Sequence, residues 1–100
     1  MAKEVVWSKR AFSGFERVIA YLEKEWTSKE VQSFVQATNR IVAYISEYPR
    51  MFKKTSKPDT HEALITPHNM LIYKIYPTKI VLLAFWDTRQ NPKKKRKLFD

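Results

Sequence analysis

Ile80 to Trp86 is the longest apolar run in the chain, seven residues without a polar break. A membrane-spanning helix needs about 20 such residues, so this run is far too short to cross a bilayer. Its residues favour extended structure. Read as a strand, it is apolar on both parities: Ile80, Leu82, Ala84 and Trp86 on one, Val81, Leu83 and Phe85 on the other. Side chains alternate between the two faces of a sheet, so both faces here want cover. The run is therefore expected to be a central strand. The sheet face turned away from any helices should be partly greasy and open to the chain's own tail, a second copy or a partner.

The other elements fall into place around it. Glu4 to Trp7 reads as a short first strand, and Ser8 can cap the helix that follows. Phe15, Val18, Ile19, Leu22 and Trp26 recur at spacings of three and four, one stripe of a helix from about Lys9 to Glu25. Thr27 and Glu30 then form a capping box, with Trp26 and Val31 at the positions of a hydrophobic staple. Val31, Phe34, Val35, Thr38, Ile41, Val42 and Ile45 trace the stripe of a second helix, which Pro49 stops. So short a link implies an antiparallel helical hairpin. Residues 50–60 read as a polar loop. Glu62–Ile65, Met70–Tyr76 and Ile80–Asp87 read as strands joined by turns at Pro67 and Pro77. The expected fold is α+β, in the order β-α-α-β-β-β. The hairpin packs on one face of an antiparallel sheet.

Composition narrows the function classes. With 100 residues the chain suits a single domain, here 1–92, followed by a basic tail, 93–100. It has no Cys, which excludes disulfide scaffolds, Cys-ligated zinc and thiol nucleophiles. No basic head with an apolar core behind it opens the chain, so a soluble, intracellular protein is expected. The net charge is +9. Residues 1–48 carry seven Lys or Arg against six Asp or Glu, while residues 49–100 carry twelve against four. The basicity belongs to the second half and points to a polyanionic partner. Lys53 and the block Lys93, Lys94, Lys95, Arg96 and Lys97 are the candidate nucleic-acid contacts. Binding through such a tail would depend strongly on salt. A basic run at a terminus is as often simply solvated.

With these elements placed, the sequence resembles the RelE/ParE superfamily of toxins from bacterial type II toxin–antitoxin systems. The resemblance covers nearly the whole chain. It rests on the opening strand ending at Trp7-Ser8, on Ala11, on Tyr21-Leu22-Glu23 followed by Trp26, and on Val31, Phe34 and Ile45 to Pro49. It continues through Leu71 to Ile75, a Pro turn, and Ile80 to Phe85 running into Trp86-Asp87-Thr88-Arg89-Gln90-Asn91-Pro92. The resemblance implies a growth-arrest toxin of the bacterial cytoplasm, of the kind found in plasmid-stabilization modules and neutralised by a cognate acidic antitoxin. RelE-like members cut mRNA on the ribosome, and ParE-like members inhibit DNA gyrase without being enzymes. Homo-oligomers are compatible with it. No cofactor is implied.

The expected action is ribosome-dependent mRNA cleavage by a metal-independent endoribonuclease. The alternatives are a ParE-like gyrase inhibitor and a nontoxic nucleic-acid-binding domain. Internal cleavage of RNA needs a base for the 2′-hydroxyl, cations for the phosphorane and an acid for the leaving oxygen. By the resemblance, Lys54 and Lys57 come from the loop after the second helix, Arg89 from the end of the long strand and His68 from a nearby turn. Each has an ordinary reading beside it. Lys54 and Lys57 serve equally as loop lysines, Arg89 as a salt-bridge partner of Asp87 or Asp59, and His68 as a turn residue. His61 opens a strand, and with His68 it lacks a third metal ligand. Trp7 and Trp26 read as packing residues, and Phe85 and Trp86 as core or as a stacking surface. RelE-like nucleases also use an aromatic residue, usually Tyr, near the C-terminus. Phe99 stands there without a hydroxyl, which raises the gyrase reading or that of a rewired nuclease.

Overall fold

The computed structural model describes residues 2–90 and Lys94. The elements are β1 (Glu4–Trp7), α1 (Lys9–Glu25), α2 (Ser28–Glu47), β2 (Lys53–Lys54), β3 (Thr60–Thr66), β4 (Asn69–Ile75) and β5 (Lys79–Asp87). They form one five-stranded sheet in the order β1-β5-β4-β3-β2. β5 is central, as its two-sided apolarity requires. Two features go beyond the simple meander. β1 pairs with β5 in parallel, Val5 opposite Ile80 and Trp7 opposite Leu82, so the sheet is mixed. The helical hairpin between them is the crossover that a parallel pairing needs. Within the 50–60 loop, Lys53 and Lys54 pair with Glu62 and His61, adding a short edge strand.

The double parity of β5 has a specific cause. Ile80 and Leu82 lie opposite Ile75 and Tyr73, whereas Ala84 and Phe85 lie opposite Ile72 and Leu71. Leu83 is therefore an extra residue, a β-bulge that switches parity. On its N-terminal side Ile80 and Leu82 join the core under the helices with Ala11, Ile45, Leu71 and Tyr73. On its C-terminal side Phe85 takes over that face and packs against Phe15 and Phe34 at ring-centroid distances of 5.8 and 6.1 Å. Trp7 stacks on the same Phe85 ring at 6.0 Å. Ala84 and Trp86, opposite Ile72 and Met70, then fall on the far face, where Ile72, Ala84 and Trp86 are buried.

Ser8 joins α1 to this bulge. Its backbone N–H donates to the Leu82 carbonyl at 3.1 Å. Its hydroxyl donates to the Leu83 carbonyl at 3.0 Å and accepts from the Ala11 N–H at 3.0 Å. One side chain thus caps the helix and satisfies the carbonyl of the bulged residue. One turn and a half further on, Gly14 is buried against Phe85: a Cβ there would stand 3.2 Å from the Phe85 Cβ. The missing side chain is what lets α1 lie this close to the strand.

α2 begins as the capping box requires. The Glu30 carboxylate accepts from the Thr27 N–H at 3.1 Å and from its hydroxyl. The hydrogen bond from that hydroxyl holds the Glu30 carboxyl below the usual carboxylate range. The staple is only half made, because Trp26 is 58% exposed. Here the reading of Trp26 as a packing residue is corrected: the hairpin tip carries it away from the sheet.

Ser8→Ala removes the cap and leaves the Leu83 carbonyl without this donor. It should lower the unfolding free energy by about 1–2 kcal/mol. Thermal denaturation should show a melting temperature lower by roughly 4–15 °C. A shift below 1 °C would mean that the bulge holds its register without Ser8.

Candidate functional site

The hairpin tip and the C-terminal end of β5 diverge and enclose a groove of ≈ 810 Å³. α1 lines it with Arg17, Val18, Tyr21 and Leu22, and α2 with Glu30, Phe34 and Ala37; Trp26 stands between them. The β3–β4 turn contributes Ile65 to Asn69, and the end of β5 contributes Phe85, Trp86, Asp87, Arg89 and Gln90. Tyr21 and Trp26 are each more than half exposed. Exposed aromatic surface beside a concave apolar wall makes this groove the candidate site.

Arg89 and His68 lie in this groove. The Arg89 guanidinium grips Asp87 with both arms, Nε to Oδ1 at 3.0 Å and Nη2 to Oδ2 at 2.9 Å. The Arg89 backbone N–H donates to Oδ1 at 2.9 Å as well. These hydrogen bonds hold the Asp87 carboxyl below its ordinary range and raise Arg89 further above its own. So the salt-bridge reading of Arg89 holds, with Asp87 as the partner. Asp59 pairs instead with Arg50, at 3.7 Å. His68 sits in the turn Thr66–Asn69. Its carbonyl accepts from the Thr88 N–H at 3.1 Å, and the Thr88 hydroxyl donates to the Pro67 carbonyl at 2.8 Å. Those two bonds bring His68 and Arg89 to one end of the sheet.

Lys54 and Lys57 lie at the other end. Lys54 is opposite His61 in the β2–β3 pair, and both lysines line a second, smaller pocket of ≈ 230 Å³ with Arg50, Asp59 and His61. β3 runs between the two ends. At about 3.4 Å per residue, His61 and Thr66 are roughly 17 Å apart. The four candidate catalytic residues therefore fall in two pairs, Arg89 with His68 and Lys54 with Lys57, lining different pockets at opposite ends of β3. Lys53 points to the far face, where it lies 3.7 Å from the buried Glu62 carboxylate. Among the tail residues Lys94 is exposed. Lys93, Lys95, Arg96 and Lys97 lie outside the described residues, as does Phe99.

His61 lies at the start of a strand, as expected, and its ring is buried. It is 1% exposed and stacks on Tyr73 at 5.6 Å, and neither ring nitrogen has a hydrogen-bond partner among the described residues. Burial, with the Arg50 and Lys54 charges behind it, pushes its pKa down; the Asp59 backbone and carboxylate pull weakly the other way. Tyr73 donates its hydroxyl to the Pro49 carbonyl at 2.5 Å, and burial raises its pKa. Among the described residues no group of three His, Asp or Glu could hold a metal ion, and no helix is long and apolar enough to cross a membrane.

Sequence reasoning missed the groove itself. Trp26 belongs to the apolar stripe of the first helix and Tyr21 does not, and nothing in the spacing distinguishes a core residue from one that overhangs the sheet edge.

No protein-family model and no curated protein matches the sequence. Solved structures do match the fold. A chain of the chromosomal ParDE TA system from P. aeruginosa superposes with a TM-score of 0.74 at 9% identity, covering 86% of this chain and 96% of that one. The E. coli toxin RelE, as a double-arginine mutant in the free state, gives 0.64 at 15% identity, covering 99% and 92%. A chain of the heterotetrameric YoeB–YefM toxin–antitoxin complex from Staphylococcus aureus gives 0.58 at 13% identity, covering 90% and 100%. The chain thus has the RelE/ParE-type toxin fold, α+β with two helices on a mixed five-stranded sheet.

The His61 environment sets a pH dependence. In the unfolded chain His61 binds a proton near its ordinary pKa of about 6.5. In the folded chain the proton binds only at lower pH, so the unfolded state holds more protons through this window. Stability is then full above about pH 6.5 and falls as the pH drops toward 5. His61→Phe keeps the stacked ring and removes both orphan nitrogens. It should raise stability at pH 7 by about 1 kcal/mol and flatten the loss between pH 7 and 5. Urea unfolding at pH 5, 6 and 7 measures both. A wild-type chain as stable at pH 5 as at pH 7 would contradict the assignment.

Proposed function

We propose that this chain is a growth-arrest toxin of a type II toxin–antitoxin module, and that its groove receives a segment of the cognate antitoxin. The fold it shares with ParE, RelE and YoeB toxin structures supports the class. The observation that carries the partner is the open aromatic groove. Its own charges largely cancel: Asp87 is bound to Arg89, and Glu30 serves the α2 cap. What remains is apolar surface with Arg17 at its side. That suits an amphipathic helix placing anchors at i, i+3/i+4 and i+7 in the groove, with a carboxylate reaching Arg17. The excess positive charge of the second half would speed encounter with an acidic antitoxin.

As to target, the geometry favours action by binding over catalysis. Phosphodiester cleavage needs base, acid and cation around one phosphate. The candidate cations stand at opposite ends of β3, and Arg89 is occupied by Asp87. We infer a ParE-like inhibitor of DNA gyrase, with ribosome-dependent mRNA cleavage as the competing action.

Two measurements test this. Induced expression should arrest growth and produce gyrase-linked DNA breaks while mRNA stays uncut. It should do so equally with Arg89→Ala. Cleaved mRNA without DNA breaks, abolished by Arg89→Ala, would establish the nuclease instead. Harmless expression would overturn the toxin reading. For the groove, Trp26→Ala should weaken binding of the antitoxin encoded beside this chain by at least tenfold, since buried Trp anchors often carry about 2 kcal/mol or more. Trp26 is exposed in the free chain, so the fold should survive the change.

A further inference from the structure

The sheet has a second face, turned away from both helices. Register places Glu62, Ile72 and Ala84 in one row across it and Leu64, Met70 and Trp86 in the next. The helices pack on the other face, Ala11 and Ile45 against Leu71 and Tyr73, so neither covers these rows. A sheet face without cover keeps its side chains partly in water. These side chains are not in water. Ile72 is 0% exposed, Ala84 2%, Glu62 7% and Trp86 8%, while Leu64 on the same face is 52% exposed. The cover is therefore narrow. It lies over the middle of the sheet and the end of β5, and it leaves the β3 side of the second row open. This burial is that of a single chain, so the chain itself supplies the cover.

The end of β5 points the chain back toward these rows. The Gln90 N–H donates to the Asp87 carbonyl at 3.0 Å, closing a turn directly after the strand. Residues 91–100 follow: Asn-Pro-Lys-Lys-Lys-Arg-Lys-Leu-Phe-Asp. From Asp87 back to Ala84 is about 10 Å along the strand. Ten residues reach about 15 Å even when helical. The composition also matches. Leu98 and Phe99 are apolar, and the run from Lys93 to Lys97 just before them is wholly basic. The face offers apolar Ile72, Ala84 and Trp86 beside the buried Glu62 carboxylate. A carboxylate taken out of water needs cations or hydrogen-bond donors around it. Lys53 approaches Glu62 to 3.7 Å from a side chain that is itself 80% exposed. A cation of the basic run would meet the same carboxylate from the covered side.

We propose that residues 91–100 fold back over the far face of the sheet, with Leu98 and Phe99 seated on Ile72, Ala84 and Trp86 and a cation of the Lys93–Lys97 run beside Glu62. The chain's own end then occupies the apolar face that a partner or a second copy would otherwise find. The basic run is held against the sheet, and only its outward side chains meet a polyanion. Lys94, which is exposed, is one of these. The groove between the hairpin tip and β5 stays open, so this placement is independent of what the groove receives.

The chain has no Cys, so Asp100→Cys gives a single site for a nitroxide spin label. In the full-length chain the label should broaden the NMR signals of Ile72, Ala84 and the Trp86 indole more strongly than those of Ala11 and Ile45 on the other face. Far-face signals no more broadened than those of Ala11 and Ile45 would overturn the proposal. Isotope-labelled chain without the nitroxide, mixed with spin-labelled chain, should keep its signals sharp. Broadening in that mixture would give the face to a second copy and overturn the proposal too. The variant carrying both Leu98→Ser and Phe99→Ser tests the seating. It should reduce the far-face broadening about twofold or more and lower the melting temperature by about 4 °C or more, with the helices retained by circular dichroism. Broadening that persists undiminished, or an unchanged melting temperature, would show that these two side chains do not hold the segment and would overturn the proposal as well.

Discussion

Ser8 holds the junction on which the architecture depends. Its N–H and hydroxyl bind two successive carbonyls of β5, those of Leu82 and Leu83, while its oxygen caps α1. The second of these carbonyls belongs to the bulged residue. The bulge lets Ile80, Leu82 and Phe85 all face the helices despite their odd spacing. Without it, a strict alternation would send Phe85 to the far face and open the aromatic cluster of Trp7, Phe15 and Phe34. Helix start, strand register and core are thus set at one point.

From that junction α1 runs along β5, close at Gly14 and free at Trp26. The close end makes core, and the free end makes groove. Function follows from this divergence. The same helix carries Ala11, fully buried, and Tyr21, half exposed. The groove is what remains when a 17-residue helix outruns the sheet it packs on. The other end of the sheet holds a different kind of site, small, basic and partly buried. The opposite ends of β3 therefore present a largely apolar groove and a small pocket lined by charged residues.

Much of this was legible in residue order. Stripes at three and four placed both helices, the Thr27–Glu30 box placed the start of α2, and the two Pro turns placed β4 and β5. Arg89's partner was among those foreseen, since an Arg two residues from an Asp at a strand end has an acceptor within reach. Local patterns could not show that Trp26 overhangs the sheet, that Lys53 and Lys54 point to opposite faces, or that His61 is buried. Each of these depends on which strand lies alongside. The short β2 strand has two residues and no apolar period, so it exists only because β3 offers it an edge.

The sequence by itself determined that β5 is central, that a helical hairpin intervenes before the sheet and that the charge gathers in the second half. These follow from local propensity and from side-chain period, which need no partner to be read. Only the tertiary structure decided that β1 joins in parallel, that one bulge reconciles the two greasy parities of β5, and that the candidate cations divide into two separate sites. Distances between residues remote in the chain depend on register and on strand order. Those are settled by long-range packing, after the loops have closed, and not by any window of neighbouring residues.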